Sequence, residues 1–201
     1  MSGIIAQNSG RHTGLVKAAS AGGVWNLIET FTSDGSDATA DFTSGIDSTY
    51  DEYVFKFINI HPETDDVQFQ FQADTGTNTS YNQTITSTFF QYYHTENDVH
   101  GGGGYVTSND QAEGTAFQPL LHGIGGDNDQ NVNGTLQIFS PSSSTFVKHF
   151  IATGNRSSSD DASISEFCAG YFNTTTALTR VQFKMSADEI QAGSISLYGI
   201  S

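Results

Sequence analysis

Hydrophobic and polar side chains alternate with a period of two along most of the chain after residue 22. Residues 67–72 show the pattern without interruption: Val67, Phe69 and Phe71 would face one way, and the three intervening glutamines the other. Residues 181–185 repeat it. Strands of an antiparallel sheet with one buried and one solvated face have this alternation. The chain is therefore predicted to be all-β, an antiparallel β-sandwich of the jelly-roll type.

Roughly eight to eleven strands are expected, because clusters of Gly, Asn, Asp and Ser interrupt the apolar stretches at short intervals. The four glycines of 101–104 are interpreted as a loop tip. One helical turn is expected over 186–190, where Ser186 and Glu189 have the spacing of a capping box. Further strands are predicted over 24–31, 53–60, 84–93, 135–139, 146–152, 167–172 and 195–197, with shorter ones over 40–43 and 105–107.

Residues 1–22 differ in composition from the sandwich domain, which is expected to occupy residues 23–201. They are rich in Gly, Ser and Ala, and their apolar side chains are too few to form a core. Such a segment is either a disordered tail or an extended arm that orders against a neighbouring protein. We favour an assembly arm. Its candidate contact residues are Ile4, Ile5, Arg11, Leu15, Val16 and Lys17.

The formal net charge of the chain is -15, from 22 acidic and 7 basic residues. A nucleic-acid partner would require a basic surface, as would an anionic membrane, so we expect neither. No apolar run approaches the length of about 18 residues that a membrane-spanning helix needs. The first residues lack the features of a signal peptide, and we expect the protein to be made in a cytoplasm.

The sequence offers no constellation of residues that could carry a reaction. It has no nucleophile elbow, phosphate loop or dinucleotide fingerprint, and its six histidines lack the spacing of a zinc site. The only cysteine, Cys168, lies in an apolar stretch and is interpreted as a small core residue. A reactive thiol would need a cationic neighbour that the sequence does not indicate. We therefore expect a protein that is not an enzyme.

One acidic loop is a candidate metal site. Asp127, Asp129, Asn131 and Asn133 precede a glycine, as in the first half of a calcium-binding loop. The second half departs from that pattern, because Ser140 stands where a bidentate glutamate belongs. The loop is either a weak calcium site or an Asx-rich turn whose side chains bond to their own backbone. No other cofactor is expected.

Aromatic side chains are concentrated on both faces of the strand predicted over 84–93. A strand that is apolar on both faces is either central in a sandwich or partly buried in a contact between subunits. The alternative is an aromatic platform on which a sugar could stack. Its candidate ligand-binding residues are Tyr92, Tyr93 and Tyr105.

Several segments of the chain resemble a family of small virion proteins encoded by tailed phages of marine bacteria. The similar segments extend over nearly the whole sequence, at 3–8, 14–18, 42–57, 140–150, 169–175 and 195–200. Their motifs are structural, and the resemblance assigns no catalytic residue.

The resemblance implies a β-sandwich that decorates a capsid or forms part of a tail fibre or spike. Such a protein would be made in the host cytoplasm and reside on the virion surface. Its expected partners are further copies of itself, as a homotrimer, and other virion proteins. The alternative function is a carbohydrate- or receptor-binding module for host attachment, with a host-surface glycan as its partner.

Overall fold

The computed structural model describes residues 24–201, which form twelve β-strands connected by turns and loops. No helix in this range could span a membrane. The strands are β1 (Trp25–Thr32), β2 (Ala40–Phe42), β3 (Glu52–Pro62), β4 (Val67–Thr75), β5 (Ile85–Thr95), β6 (Gly101–Tyr105), β7 (Gln118–Ile124), β8 (Val132–Phe139), β9 (Lys148–Ser157), β10 (Ala162–Phe172), β11 (Leu178–Met185) and β12 (Ile190–Ile200).

Two antiparallel sheets of unequal width pack face to face. The larger sheet has eight strands in the order β1-β12-β3-β8-β9-β10-β5-β6, and the smaller has four in the order β2-β11-β4-β7. This arrangement confirms the predicted all-β class and antiparallel sandwich. The jelly-roll connectivity stays a prediction, and the proposed arm over 1–22 lies outside the described residues.

A cluster of phenylalanines joins the two sheets. Phe183 of β11 lies at its centre, with its ring centroid 5.0 Å from that of Phe55 and 5.3 Å from that of Phe57, both on β3 of the larger sheet. Within the smaller sheet its ring stacks on Phe69 of β4 at 5.6 Å. Aromatic pairs in such geometries contribute about 0.5–1.5 kcal/mol each beyond the burial of their surface.

The alternation in β4 matches its predicted orientation. Val67, Phe69 and Phe71 are buried in the core between the sheets, as expected. Gln72 is an exception among the glutamines, because its side chain is also buried, on the other face of the strand. Its amide nitrogen donates to the carbonyl oxygens of Gln83 and Ala116 at 3.0 Å, so the chain that covers this face also satisfies its polar group.

The polar ends of several strands were not predicted. β9, β10 and β12 extend well beyond 146–152, 167–172 and 195–197, because backbone pairing continues through residues such as Ser157 and Ser163, which lie opposite each other. The strand β7 was missed altogether. Its sequence begins with Gln118-Pro119 and does not alternate, and it is buried on both sides.

The expectation of a glycine loop tip over 101–104 is wrong. These glycines form the edge strand β6, which pairs with β5 so that Gly103 lies opposite Tyr92. A side-chain carbon at Gly103 would stand 2.5 Å from Cδ1 of Tyr92. The bare backbone of β6 therefore makes room for the rings of the neighbouring strand.

The expected helical turn over 186–190 is also wrong. The segment is a bend between β11 and β12, and Ile190 already belongs to β12. Ser186 does not cap a helix, because its hydroxyl oxygen accepts a hydrogen bond from the backbone N–H of Gln68 in β4 at 3.0 Å. Asp188 has a φ of 54°, which turns the chain back toward the larger sheet.

Cys168 belongs to the core between the sheets, where it is almost completely buried. Burial raises the pKa of its thiol to about 12, and the charge of nearby Glu166 acts in the same direction. Since the thiolate is the reactive form, the folded chain holds this thiol in its unreactive, protonated form.

We therefore predict that Cys168 in the native protein reacts with dithionitrobenzoate only as fast as the protein opens. In the absence of denaturant at pH 8, the absorbance of released thionitrobenzoate should rise slowly. The control is the same chain in concentrated urea, where one thiol per chain should react at the rate of a free cysteine. Rapid stoichiometric reaction of the folded chain would contradict the burial of this thiol.

Candidate functional site

The outer face of the larger sheet, which points away from the smaller sheet, carries large exposed apolar side chains. Such side chains are present from one edge strand to the other, and most surface patches of this kind mark contacts with other molecules. The exposed apolar residues on this face are Trp25, Leu27, Ile58, Phe90, Tyr92, Tyr105, Ile151 and Phe167.

Strand pairing brings three of these residues into one row. Phe90 of β5 lies opposite Tyr105 of β6 on one side and opposite Phe167 of β10 on the other. The rings of Phe90 and Phe167 are stacked, with centroids 5.0 Å apart and an interplanar angle of 12°. The row continues across β9 and β8 through Thr153 and Thr135.

The same face carries almost no charge over five of its eight strands. The outward positions of β8, β9, β10, β5 and β6 contain no Asp, Glu, Lys or Arg, although the chain has 22 acidic residues. They carry Ser, Thr, Asn, Gln and His beside the apolar residues. Depletion of charge together with enrichment of aromatic side chains is typical of the centre of a protein interface.

The structure separates the three tyrosines that were predicted to bind a ligand. Tyr92 and Tyr105 are more than half exposed on the outer face, on neighbouring strands. Tyr93 points to the opposite side of β5. The hydroxyl of Tyr105 donates to Oδ2 of Asp110 at 2.5 Å, and this hydrogen bond to a carboxylate is the main cause that raises the pKa of Tyr105.

The candidate calcium loop connects β7 to β8. The side-chain oxygen of Asn131 accepts a hydrogen bond from Asn133 at 2.8 Å, and that of Asn133 accepts one from the backbone N–H of Asn59 at 3.0 Å. The carboxylates of Asp127 and Asp129 accept no hydrogen bond within residues 24–201, while the backbone N–H of Asp127 donates to Oε1 of Gln130 at 3.2 Å. In this range no three His, Cys, Asp or Glu side chains are grouped so as to hold a metal ion. The calcium site stays a prediction.

A buried ionic cluster that was not predicted connects the two sheets. Glu166 of β10 is fully buried, and its carboxylate lies 2.5 Å from Nδ1 of His122 in β7 and 3.5 Å from Nε of Arg156 in β9. The backbone N–H of His122 donates to the same carboxylate at 3.1 Å. Arg156 also donates to the carbonyl oxygen of Gly123 at 2.5 Å.

The electrostatics of this cluster are dominated by its burial. Loss of hydration lowers the pKa of Arg156, while the negative charge of Glu166 acts in the opposite direction. The ring of Phe89 packs edge-on against His122, with centroids 5.8 Å apart. The cluster therefore fixes β7 of the smaller sheet to β9 and β10 of the larger, which is a structural role.

No protein-family model matches this chain, and neither the curated proteins nor the solved structures include a significant match.

Replacement of Glu166 by Gln tests the role of the ionic cluster. The substitution keeps the shape of the side chain but removes the carboxylate that pairs with the buried Arg156 guanidinium. We expect the free energy of unfolding, measured by urea denaturation at pH 7, to fall by about 3 kcal/mol.

The matched control is Glu63→Gln, because Glu63 is exposed and makes no side-chain hydrogen bond within residues 24–201. Its free energy of unfolding should stay within about 0.5 kcal/mol of the unmodified chain. Equal stability of the two variants would show that the cluster does not hold the sheets together.

Proposed function

We propose that this protein is a non-enzymatic structural component of a phage particle surface, either a capsid decoration protein or part of a tail fibre or spike. It assembles in several copies, as a homotrimer, through its N-terminal arm and the outer face of its larger sheet. The virion role is what the resemblance noted in the sequence segments implies. The observation that carries the assembly is the uncharged, aromatic outer face of five adjacent strands.

The outer face has the chemistry that a lasting contact between subunits needs. Specific protein interfaces bury about 1,200–2,000 Å² in total, with apolar and aromatic side chains at the centre. Phe90, Phe167 and Tyr105 would form that centre, and the surrounding Ser, Thr and Asn side chains would form a polar rim. A face that contacts its own copies in a closed ring leaves no open end for further growth.

The N-terminal arm complements the rest of the chain in charge. Residues 1–22 contain Arg11 and Lys17 and no acidic residue, so all 22 acidic residues lie in the remainder. Attraction between the arm of one copy and the acidic body of another protein would therefore assist assembly, and it would weaken as the salt concentration rises.

The double substitution Phe90→Ser and Phe167→Ser tests the outer face. It removes two exposed rings that stack on each other, so we expect the folded chain to lose association. Sedimentation velocity over a range of protein concentrations should show an oligomer for the unmodified chain and a monomer for the variant.

Phe146→Ser is the matched control, because Phe146 is 71% exposed but lies in the loop before β9. It should associate like the unmodified chain. Deletion of residues 1–22 in the same assay tests the arm, and it should leave a folded chain that associates less. An oligomer that survives the double substitution, or undiminished association of the truncated chain, would refute the corresponding contact.

A second candidate function is attachment to glycans of the host surface. It is favoured by the exposure of Tyr92 and Tyr105 on one face, beside hydroxyl side chains such as that of Ser165, which lies opposite Tyr92. Flat aromatic rings next to polar groups suit a sugar, which has an apolar face and hydroxyl groups at its edge.

The double variant Tyr92→Ala and Tyr105→Ala tests this function on a glycan array. Binding of the unmodified chain to at least one glycan should fall by about tenfold or more, a loss of about 1.4 kcal/mol. Tyr171→Ala should bind normally, because Tyr171 is on the same face but lies opposite Thr86, at the far end of β5 from Tyr92. A chain that binds no glycan, or a double variant that binds as well, would count against attachment.

A further inference from the structure

The inner side of β5 and β10 borders a pocket at the end of the sandwich. The pocket has a volume of about 500 Å³, within the range of about 300–1,000 Å³ that is usual for small-molecule sites. It lies beyond β7, the edge strand of the smaller sheet, which contacts β9 and β10. Because four strands cannot cover eight, the loops at 96–100 and 158–160 complete its wall.

The floor of the pocket is apolar and has one aromatic wall. Ala162 and Ile164 of β10 are buried there, and Tyr93 of β5 lies directly opposite Ile164. On the adjacent edge strand, a side-chain carbon at Gly102 would stand 3.8 Å from Cε1 of Tyr93, so the ring lies alongside the glycine backbone. The pocket thus offers an apolar surface and an aromatic ring to one ligand.

Polar side chains border this apolar floor. Asp160 and Asn97 are exposed and line the pocket from its two loops, and the Asp160 carboxylate makes no hydrogen bond within residues 24–201. A ligand hydroxyl group can donate to that carboxylate, and hydrogen bonds to charged groups contribute about 1.5–3 kcal/mol.

The loops of the pocket are held in place by hydrogen bonds. The backbone N–H of Thr95 donates to the carbonyl oxygen of His100 at 2.9 Å, and that of Glu96 donates to the carbonyl oxygen of Asp161 at 3.0 Å. The hydroxyl of Thr95 also bonds to both backbone groups of His100. A preformed site loses little entropy of its own when a ligand binds.

We propose that this pocket binds a neutral sugar residue. The carbon-bound face of the sugar would lie against Tyr93 and Ile164, and its hydroxyl groups would donate to the Asp160 carboxylate. The acidic side chains of Glu96, Asp98 and Asp161 in the adjoining loops disfavour an anionic ligand. This site goes beyond the assembly role, and it lies on the opposite side of β5 from Tyr92.

Saturation-transfer NMR with the full chain tests the proposal directly. The probes are the methyl α- and β-glycosides of glucose, galactose and mannose, with methyl glucuronide as the anionic comparison. At least one neutral glycoside should receive saturation with a Kd of about 1 mM, and the glucuronide should not. Tyr93→Ala and Asp160→Ala should each weaken the binding by about tenfold or more.

Tyr171→Ala is the matched control, because Tyr171 is on the outer face of β10, opposite Thr86 and far from Ile164; its binding should be unchanged. Asp160→Ala changes an exposed side chain that makes no hydrogen bond within residues 24–201, so it should stay folded and decides the outcome if Tyr93→Ala does not fold. The proposal is overturned if no neutral glycoside binds, if the glucuronide binds equally well, or if both pocket variants bind normally. Binding lost in Tyr92→Ala but kept in Tyr93→Ala would place the sugar on the outer face instead.

Discussion

The packing of Phe183 against the rings of β3 and β4 holds together two sheets of different widths, and most other features of the fold depend on this contact. A sheet of four strands can cover only part of a sheet of eight. Loops therefore cover the inner side of β5, and that is where the pocket beside Tyr93 lies. The apolar core is large enough to accommodate a fully buried carboxylate, Glu166, provided that Arg156 and His122 accompany it.

The distribution of charge distinguishes the surfaces of the molecule. The smaller sheet carries Gln70, Gln182 and Lys184 on its outer side, and acidic residues are numerous in the loops. The larger sheet instead has five neighbouring strands whose outward positions carry no Asp, Glu, Lys or Arg. Mutual repulsion among strongly acidic molecules would keep most surfaces apart, which leaves this face as the one best suited to contact.

Much of the sandwich could be predicted from the period of two, because that period determines which side chains of a strand can be buried together. Val67, Phe69 and Phe71 are examples. β7 escaped prediction because it is buried on both sides and has no alternation to recognise. β6 escaped because glycines normally indicate turns, whereas here their lack of side chains accommodates Tyr92. Backbone pairing, which does not require apolar side chains, determines both strands.

The sites were harder to predict than the strands, since they depend on register between distant segments. Tyr92 and Tyr93 had to face opposite sides of any strand, and this could have been recognised from their adjacency. Glu166 also left a signal, as a charged residue at an inward position between Ile164 and Cys168. Its partner His122 could not be identified, because β7 and β10 meet only in the folded chain.

We expect the outer face of the larger sheet to become buried when copies of the protein assemble. Hydroxyl-radical footprinting of the full chain, dilute and concentrated, measures this directly because it modifies exposed aromatic side chains. The account predicts that Phe90, Phe167 and Tyr105 are modified in dilute solution and protected at high concentration, while Phe146 is modified equally in both. Equal modification of Phe90 and Phe167 in the assembled and dilute states would contradict it.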